Sequence, residues 1–571
     1  HEIAIHFCQH FLDISREIHA SALKFQLPER ITARPIHDAK GKATGYTKYA
    51  GDLSLPNMAY LCMLHSKIPH GYVKAVHAEK ALALPGVSGV YHCLNTTDRK
   101  YNRYHSNFDQ AYLPNEECAF NDYVRFVGDK IGVVAACDQE TAERAARLVE
   151  VEYEELPFSI GFDDTLAGKN CLEGETPVRD EYTLEVGKKQ ESTEGLIEVC
   201  STMELPRLHH ATMETHACIA DYDPYIDMLT VYCPNQAVHG IRTVLADYLE
   251  MPESHVRVIK ATMGGSFGAK QEWFLEPVAA LVAKKLCCPV KLVYSRGEAM
   301  TDTIVRGAMR MSARGYYTPD GEMKEIYCDV TLDAGAYIGN AGDYIRALAG
   351  KPTRCYRIPY MHYHGQVISS NSPVSGAFRS WSAAEEALMM ERQIDAAAEK
   401  LGIDRLTIRL KNVAHAGEED KKLHLSLEDI RIGDAITLGS EKFGWDKLKA
   451  EDAAFNASQQ RYRRGVGIGI GGHGNTYFPR FNDYGEGSIS LNADGSMQAN
   501  FTLHDHGCGT VTAMRMIAAE VLKVPEDKIY MTEGDTAVTP IDYGCFASRT
   551  TYVVGRAVQD AANALRKKML H

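Results

Sequence analysis

Residues 255–259 alternate polar and apolar side chains (His255, Val256, Arg257, Val258, Ile259) with the period of two expected of a half-buried strand. Residues 272–286 are rich in Ala, Leu and Val, carry Pro277 in the first turns, and read as a helix. Between them lies a glycine-rich turn, Met263-Gly264-Gly265-Ser266-Phe267-Gly268-Ala269-Lys270-Gln271. Glycines there let backbone N–H groups approach a ligand where a Cβ would clash, and a helix N-terminus behind them favours an anion. The turn is neither a P-loop, since no Gly-Lys-Ser/Thr closes it, nor the G-x-G-x-x-G dinucleotide fingerprint.

The same periodicities divide the rest of the chain. Apolar positions at helical spacing (Ile5, Phe7, Phe11, Leu12, Ile14, Ile18) predict a connecting helix over 1–30. Residues 31–160 read as a small α/β domain, with strands over 60–64, 130–136 and 149–153 and a helix over 139–147 that shows Ala142, Ala145 and Ala146 on one face. The polar, aperiodic stretch 161–194 reads as a linker. Residues 195–412 then alternate strands (228–232, 255–259, 290–294) with helices (239–248, 272–286), and end in a long helix over 383–401 with Ala387, Met390, Ile394, Ala397 and Leu401 on one stripe. A second layered domain over 413–571 is expected to hold strands at 465–470, 487–491 and 497–503 and helices at 511–522 and 553–570. The fold class is α+β.

Composition narrows the function. With 45% apolar and 24% charged residues in 571, the chain has the balance of an ordinary soluble globular protein. A net charge of -13 argues against a nucleic-acid surface, and no apolar run approaches the ~18 residues of a membrane span, so a cytoplasmic protein is expected. Fifteen cysteines include no C-x-x-C pair, so no iron–sulfur or zinc site, and no metal ligand, is expected from this chain alone. His209, His210 and His216 read as hydrogen-bonded structural histidines. The chain starts at His1 and its last helix has no Gly or Pro stop, so it is expected to continue beyond 571.

Four further turns carry small residues and hydrogen-bonding groups: 208–216, 376–381, 504–509 and 544–551. Their order, with Phe267-Gly268 and Ala377-Phe378-Arg379 as the most specific elements, resembles the molybdenum-binding subunit of the xanthine oxidase/dehydrogenase family, from about residue 31 to residue 570. The resemblance implies a small hammerhead-like α/β domain followed by two large layered molybdopterin-binding domains, the second truncated. It also implies an enzyme that hydroxylates a purine such as xanthine or hypoxanthine, with water as oxygen source. The cofactor the resemblance implies is molybdopterin with molybdenum, expected as the cytosine dinucleotide. By the same resemblance, electrons are expected to pass to [2Fe-2S] clusters and FAD on other domains or subunits, in an oligomeric complex.

Carried over by position, Gly265, Ser266, Phe267 and Gly268 line the metal site and pterin, so the opening turn becomes a wall of the pocket rather than a phosphate seat. Arg379 adds a cationic donor near the metal, and Ala547, Ser548 and Arg549 hold the pterin or its phosphate from the opposite side. Cys508 stands where the family has Gln in Gly-Gln-Gly, and Leu208 where purine enzymes have Gln. Arg346 matches the arginine that stabilises negative charge on the ring. Gln271 replaces a glutamate that faces the purine, and Trp381 and Tyr477 match the aromatics that sandwich it. The family's catalytic glutamate falls beyond residue 571. The alternatives are a hydroxylase of nicotinate, another N-heterocycle or an aldehyde, and a cofactor-free scaffold subunit.

Overall fold

The strand that leads into the glycine turn forms one edge of a sheet much larger than its neighbourhood suggests. The computed structural model describes residues 35–104, 114–168, 170–172, 176–458, 461–474 and 483–570, so the helix expected over 1–30 lies outside the described residues. Seven strands pair in the order Val256–Lys260, Met228–Cys233, Ala217–Asp223, Val290–Val293, Ala59–His65, Lys130–Ala136 and Val87–His92. The join between the early and late halves is a parallel pair with Ala59 opposite Val290 and Leu61 opposite Leu292. Hydrogen bonding therefore runs straight across the expected boundary near 160. Lys130–Ala136 is buried at all seven positions, as a central strand covered on both faces should be.

Helices Val238–Tyr248 and Glu276–Leu286 pack on this sheet through Ile241, Val244, Val278 and Val282. Each such side chain contributes roughly 1.5–3 kcal/mol on burial. Helix Gln139–Ala146 buries Ala142 and Ala145 and starts at Asp138, whose carboxylate accepts from Thr141 N.

A second sheet pairs Val178–Gly187, Tyr360–Ile368, Met323–Asp333, Ala308–Tyr317 and Ile197–Leu205. Its first strand falls in the stretch expected to be a linker, as does the short helix Phe162–Leu166. Tyr182, Leu184 and Val186 do face the core at every second position, but charged outward neighbours mask that period, which is the pattern of an edge strand. The helix Ala383–Leu401 lies on this sheet, with Met390, Ile394 and Ala397 buried as expected. Two glutamates, Glu385 and Glu386, are buried on the same helix.

The third layer is a sheet of Gly487–Leu491, Met497–Phe501 and Ile529–Thr532 under helices Thr510–Leu522 and Gly555–Met569. No hydrogen-bonded strand forms over 465–470 among the described residues. The period of two there comes from glycines at every second position, and Ile468 and Ile470 pack on the second core instead. A π-helical turn, Thr550–Val554, leads into the last helix. The layer docks on the open edge of the first sheet. Lys260 N donates to Gly534 O at 2.8 Å, and Arg257 pairs with Asp535 at 2.6 Å. That docking sets the 504–509 and 542–549 loops beside the glycine turn. No helix among the described residues is long and apolar enough to cross a membrane.

Candidate active site

The opening turn is built to touch the 376–382 turn. Gly265, Phe267 and Gly268 take left-handed φ values of 92°, 58° and 104°. A Cβ on Gly268 would stand 2.5 Å from Ala377 O, and Arg379 N donates to Phe267 O at 2.8 Å. The near end of the turn is held by Glu214, whose carboxylate accepts from Gly264 N at 2.7 Å and pairs with buried Lys270. The helix expected from 272 begins at Glu276 instead. Residues 272–275 stay irregular because Glu272 is buried and accepts from Ala377 N at 3.2 Å. Burial pushes its carboxyl up to about 8. The turn therefore does not sit on a helix N-terminus, which removes the simple phosphate seat.

Gln236 joins this turn to the third layer, and nothing in the sequence patterning singled it out. Its side-chain carbonyl accepts from Ser266 Oγ, its amide donates to Cys545 O, and its backbone carbonyl accepts from Cys545 N at 2.9 Å. The signal is positional: Asn235 and Gln236 come two and three residues after the strand Met228–Cys233, at the end of a sheet strand where ligand sites gather. Beside it, Asp505 accepts from Gly507 N and Val511 N at 2.9 and 3.2 Å and shapes the 504–509 loop, leaving Cys508 exposed at the tip. Where Gly507 (φ 102°) lacks a side chain, nothing among the described residues stands within 4 Å.

Arg549, expected to hold the pterin or its phosphate, is instead saturated from within. Its buried guanidinium bonds Asp483 at 2.7 and 2.9 Å, Asp542 at 2.8 and 2.9 Å, Tyr484 O at 2.7 Å and Gly544 O at 3.1 Å. With both forks of the guanidinium engaged, its place is to brace the loop. Ala547 and Ser548 are left-handed (φ 49° and 50°), and Ser548 is exposed.

The 376–382 turn is strained. Ser380, Trp381 and Ser382 take φ values of 81°, 21° and 58° in succession, with no glycine among them. Such residues cost on the order of 1–3 kcal/mol each and persist where the surroundings over-determine them. Phe378 is stacked on His210 at 4.2 Å, with the Arg306 guanidinium 4.2 Å from the same ring. Burial pushes the His210 imidazole down to about 4, so it is neutral, and it bonds Ala377 O at 2.8 Å. His216 is held down to about 3 and bonds Ala269 O, while His209 bonds Thr303. Trp381 stacks on Tyr344 at 5.6 Å with 18° between the planes, and Tyr104 meets it edge-on at 6.0 Å. Arg379 is exposed, and its guanidinium has no partner among the described residues.

Arg346 is not brought to this place. It sits two residues from Tyr344 on helix Ala341–Ala349, about 200° around the axis, and binds Asp180 at 2.5 and 2.9 Å. The edge strand that sequence reading took for a linker supplies its partner. Tyr477 lies outside the described residues. A cavity of about 1010 Å³ lined by Tyr60, Cys62, Tyr153 and Lys291 shares no residue with the turns.

The assembled residues fit a large polar group. Among the described residues, Gln271 Nε2 and Trp381 Nε1 are buried without a hydrogen-bond partner. Such buried polar atoms are rarely left unsatisfied in native folds unless a ligand or water completes them.

Comparison with known proteins gives the same picture. The description "Aldehyde oxidase and xanthine dehydrogenase, a/b hammerhead domain" matches residues 44–157, and "Molybdopterin cofactor-binding domain" matches 175–413 and again 438–571. The chain is 30% identical over 549 residues to a xanthine dehydrogenase molybdenum-binding subunit of Escherichia coli O157:H7, covering 93% of this chain and 71% of that one. It is 30% identical to a carbon monoxide dehydrogenase large chain of Hydrogenophaga pseudoflava (92% and 69% covered). It is 31% identical to a nicotinate dehydrogenase large molybdopterin subunit of Eubacterium barkeri (66% and 88% covered). In fold it is similar to quinoline 2-oxidoreductase from Pseudomonas putida 86, with a TM-score of 0.85 at 23% identity over 94% of this chain and 70% of that one. With its hammerhead and two molybdopterin cofactor-binding domains, the chain belongs to the molybdenum hydroxylase family of oxidoreductases, as a molybdenum-binding large subunit.

Proposed function

We propose that this subunit hydroxylates a flat N-heteroaromatic ring, a purine such as xanthine or hypoxanthine first among them. Water is the oxygen source, and electrons leave to [2Fe-2S] clusters and FAD on other domains or subunits. The observation that carries this reading is the Trp381–Tyr344 stack, taken with the buried Gln271 Nε2, which has no hydrogen-bond partner among the described residues. A planar ring extends an aromatic stack at little entropic cost, and an amide matches ring N–H and C=O groups without a charge.

Molybdopterin, in our reading its cytosine dinucleotide, supplies when bound the two-electron redox couple that side chains lack. The turn 264–268 and the 504–509 and 544–549 loops would hold it, with Cys508 and Ser548 at their exposed tips. Gln236 keeps the two walls in register. The exposed Arg379 guanidinium, without a partner among the described residues, would stabilise negative charge as it develops on the ring. Arg346, engaged by Asp180, acts on the architecture of helix Ala341–Ala349.

A nicotinate-type hydroxylase is the second reading, and the same exposed guanidinium favours it, since Arg379 would pair with a substrate carboxylate. Molybdenum and pterin analysis of the purified complex, with dye reduction across xanthine, hypoxanthine, nicotinate and an aldehyde, tests both. Metal and heterocycle-dependent turnover are expected. Turnover confined to aldehydes, or a complex devoid of molybdenum, overturns the proposal.

A further inference from the structure

Helix Ala383–Leu401 begins with a serine, the residue type that ordinarily caps a helix by accepting from its first backbone N–H groups. Ser382 does not do so. At φ 58° it is left-handed and makes no cap bond, and its fully buried hydroxyl accepts instead from Lys351 Nζ at 2.5 Å. The same ammonium donates to Trp381 O. A nineteen-residue helix thus gives up its natural cap to a buried lysine that grips two consecutive residues of the strained turn.

We propose that Lys351 is the positioning residue that locks the Ser380–Trp381–Ser382 turn in its left-handed form and thereby sets the Trp381 ring. The lysine is itself immobilised. It lies between helix Ala341–Ala349 and the short helix Pro352–Cys355, with its N–H on Leu348 O at 3.1 Å and its carbonyl accepting from Arg354 N at 3.0 Å. The charged and titratable groups around its ammonium are Glu385 and Glu386 from helix Ala383–Leu401, Arg354, Lys422 and His473. Burial drives Lys351 down to about 7 and Glu386 up to about 8, so the clamp loses charge as pH rises through neutrality. A neutral amine keeps two N–H donors but not the charge that strengthens both bonds. The hold on Trp381 therefore weakens above about pH 7.

The link from this clamp to catalysis rests on the reading that Trp381 walls the substrate, so the test separates the two. In the purified holoenzyme complex, the emission that disappears in Trp381→Phe is assigned to Trp381. It is followed from pH 5.5 to 8.5, about 1.5 units either side of the Lys351 titration, in the wild type, Lys351→Met, Lys351→Arg and Ser382→Ala. The expected result is a pH transition near neutrality in the wild type that Lys351→Met abolishes. KM for the accepted heterocycle should rise about tenfold with kcat changed less than about threefold, and molybdenum content should be unchanged. Lys351→Arg, which cannot deprotonate in this range, should recover most of the KM and flatten its pH dependence. Emission and pH profile unchanged in Lys351→Met overturn the clamp. Altered emission with unchanged KM supports the clamp and removes Trp381 from the substrate wall. Should Lys351→Met fail to assemble, Ser382→Ala reads the same changes at smaller amplitude, and its silence overturns the proposal.

Discussion

Two arginines flank the site from opposite layers, and their surroundings could hardly differ more. Arg549 is fully buried and meets two carboxylates and two carbonyls, so its guanidinium faces protein in every direction. Arg379 is exposed, anchored through its backbone to Phe267, and has a guanidinium with no partner among the described residues. The contrast extends to their neighbourhoods. Around Arg549 the polar groups satisfy one another, while on the side of Arg379 the buried Gln271 Nε2 and Trp381 Nε1 have no partner among the described residues and three successive residues are strained. One loop is scaffold completed from within; the other leaves buried polar atoms unsatisfied among the described residues. A charged residue beside a glycine turn is thus not evidence of ligand binding until its own partners are counted.

The sharpest way to break this comparison is to remove each arginine in turn. Arg549→Met strands Asp483 and Asp542, both buried, and is expected to destabilise the chain by about 3–5 kcal/mol, with loss of folded complex and of bound molybdenum. Thermal unfolding and metal content measure it; a variant that melts with the wild type would show that the cluster is not structural. Arg379→Met should leave the melting profile within about 0.5 kcal/mol but lower kcat/KM on the heterocycle roughly a hundredfold, near 2.7 kcal/mol of transition-state stabilisation. If instead Arg379→Met unfolds like the Arg549 variant, the distinction between scaffold and site collapses.

Sequence reading found both arginines but not this difference, for a physical reason. Helices such as Ala383–Leu401 and Thr510–Leu522 were legible because burial imposes a period on contiguous residues. The order of the glycine turns was legible too, because Gly268 answers to a local demand, a left-handed φ against a neighbouring backbone. Whether Arg549 or Arg346 is free depends on Asp483, Asp542 and Asp180, which lie 66, 7 and 166 residues away. Gln236 and Lys351 were invisible likewise, since Gln236 acts across 309 residues and Lys351 on a turn whose strain only coordinates reveal. The edge strand Val178–Gly187 shows the cost of missing such a partner: once it was read as linker, Asp180 had no place beside Arg346.

A third prediction bears on how the strained side is held. Glu272 titrates near 8 in the fold against an ordinary 4.5, because it is fully buried. Between those values the folded state binds more protons than the unfolded chain, so this group makes stability fall as pH rises from about 4.5 to 8. Glu272→Gln keeps an acceptor for Ala377 N and removes the ionisation. Its unfolding free energy should match the wild type near pH 5 and exceed it by about 3–4 kcal/mol at pH 8. Equal pH dependence in both proteins would mean that Glu272 is solvated in solution, and that the 376–382 turn is held by less than its geometry implies.

The smallest effect is expected at Arg346, and it sharpens the comparison most finely, because this residue looks like Arg379 in sequence and like Arg549 in structure. Its pair with Asp180 is only partly buried, with side-chain exposures of 37% and 25%, so the ion pair contributes no more than about 1 kcal/mol. Helix Ala341–Ala349 is otherwise held by Ile345, Leu348 and Ala349 in the second core, which Arg346→Met leaves in place. Turnover should fall less than about threefold, with KM and kcat moving together through Tyr344, the neighbour on which Trp381 stacks. Asp180→Asn should reproduce that small change. A hundredfold loss in Arg346→Met without one in Asp180→Asn would mean that the arginine leaves the edge strand when substrate binds. The charge on the ring would then be met from helix Ala341–Ala349 rather than from the strained turn.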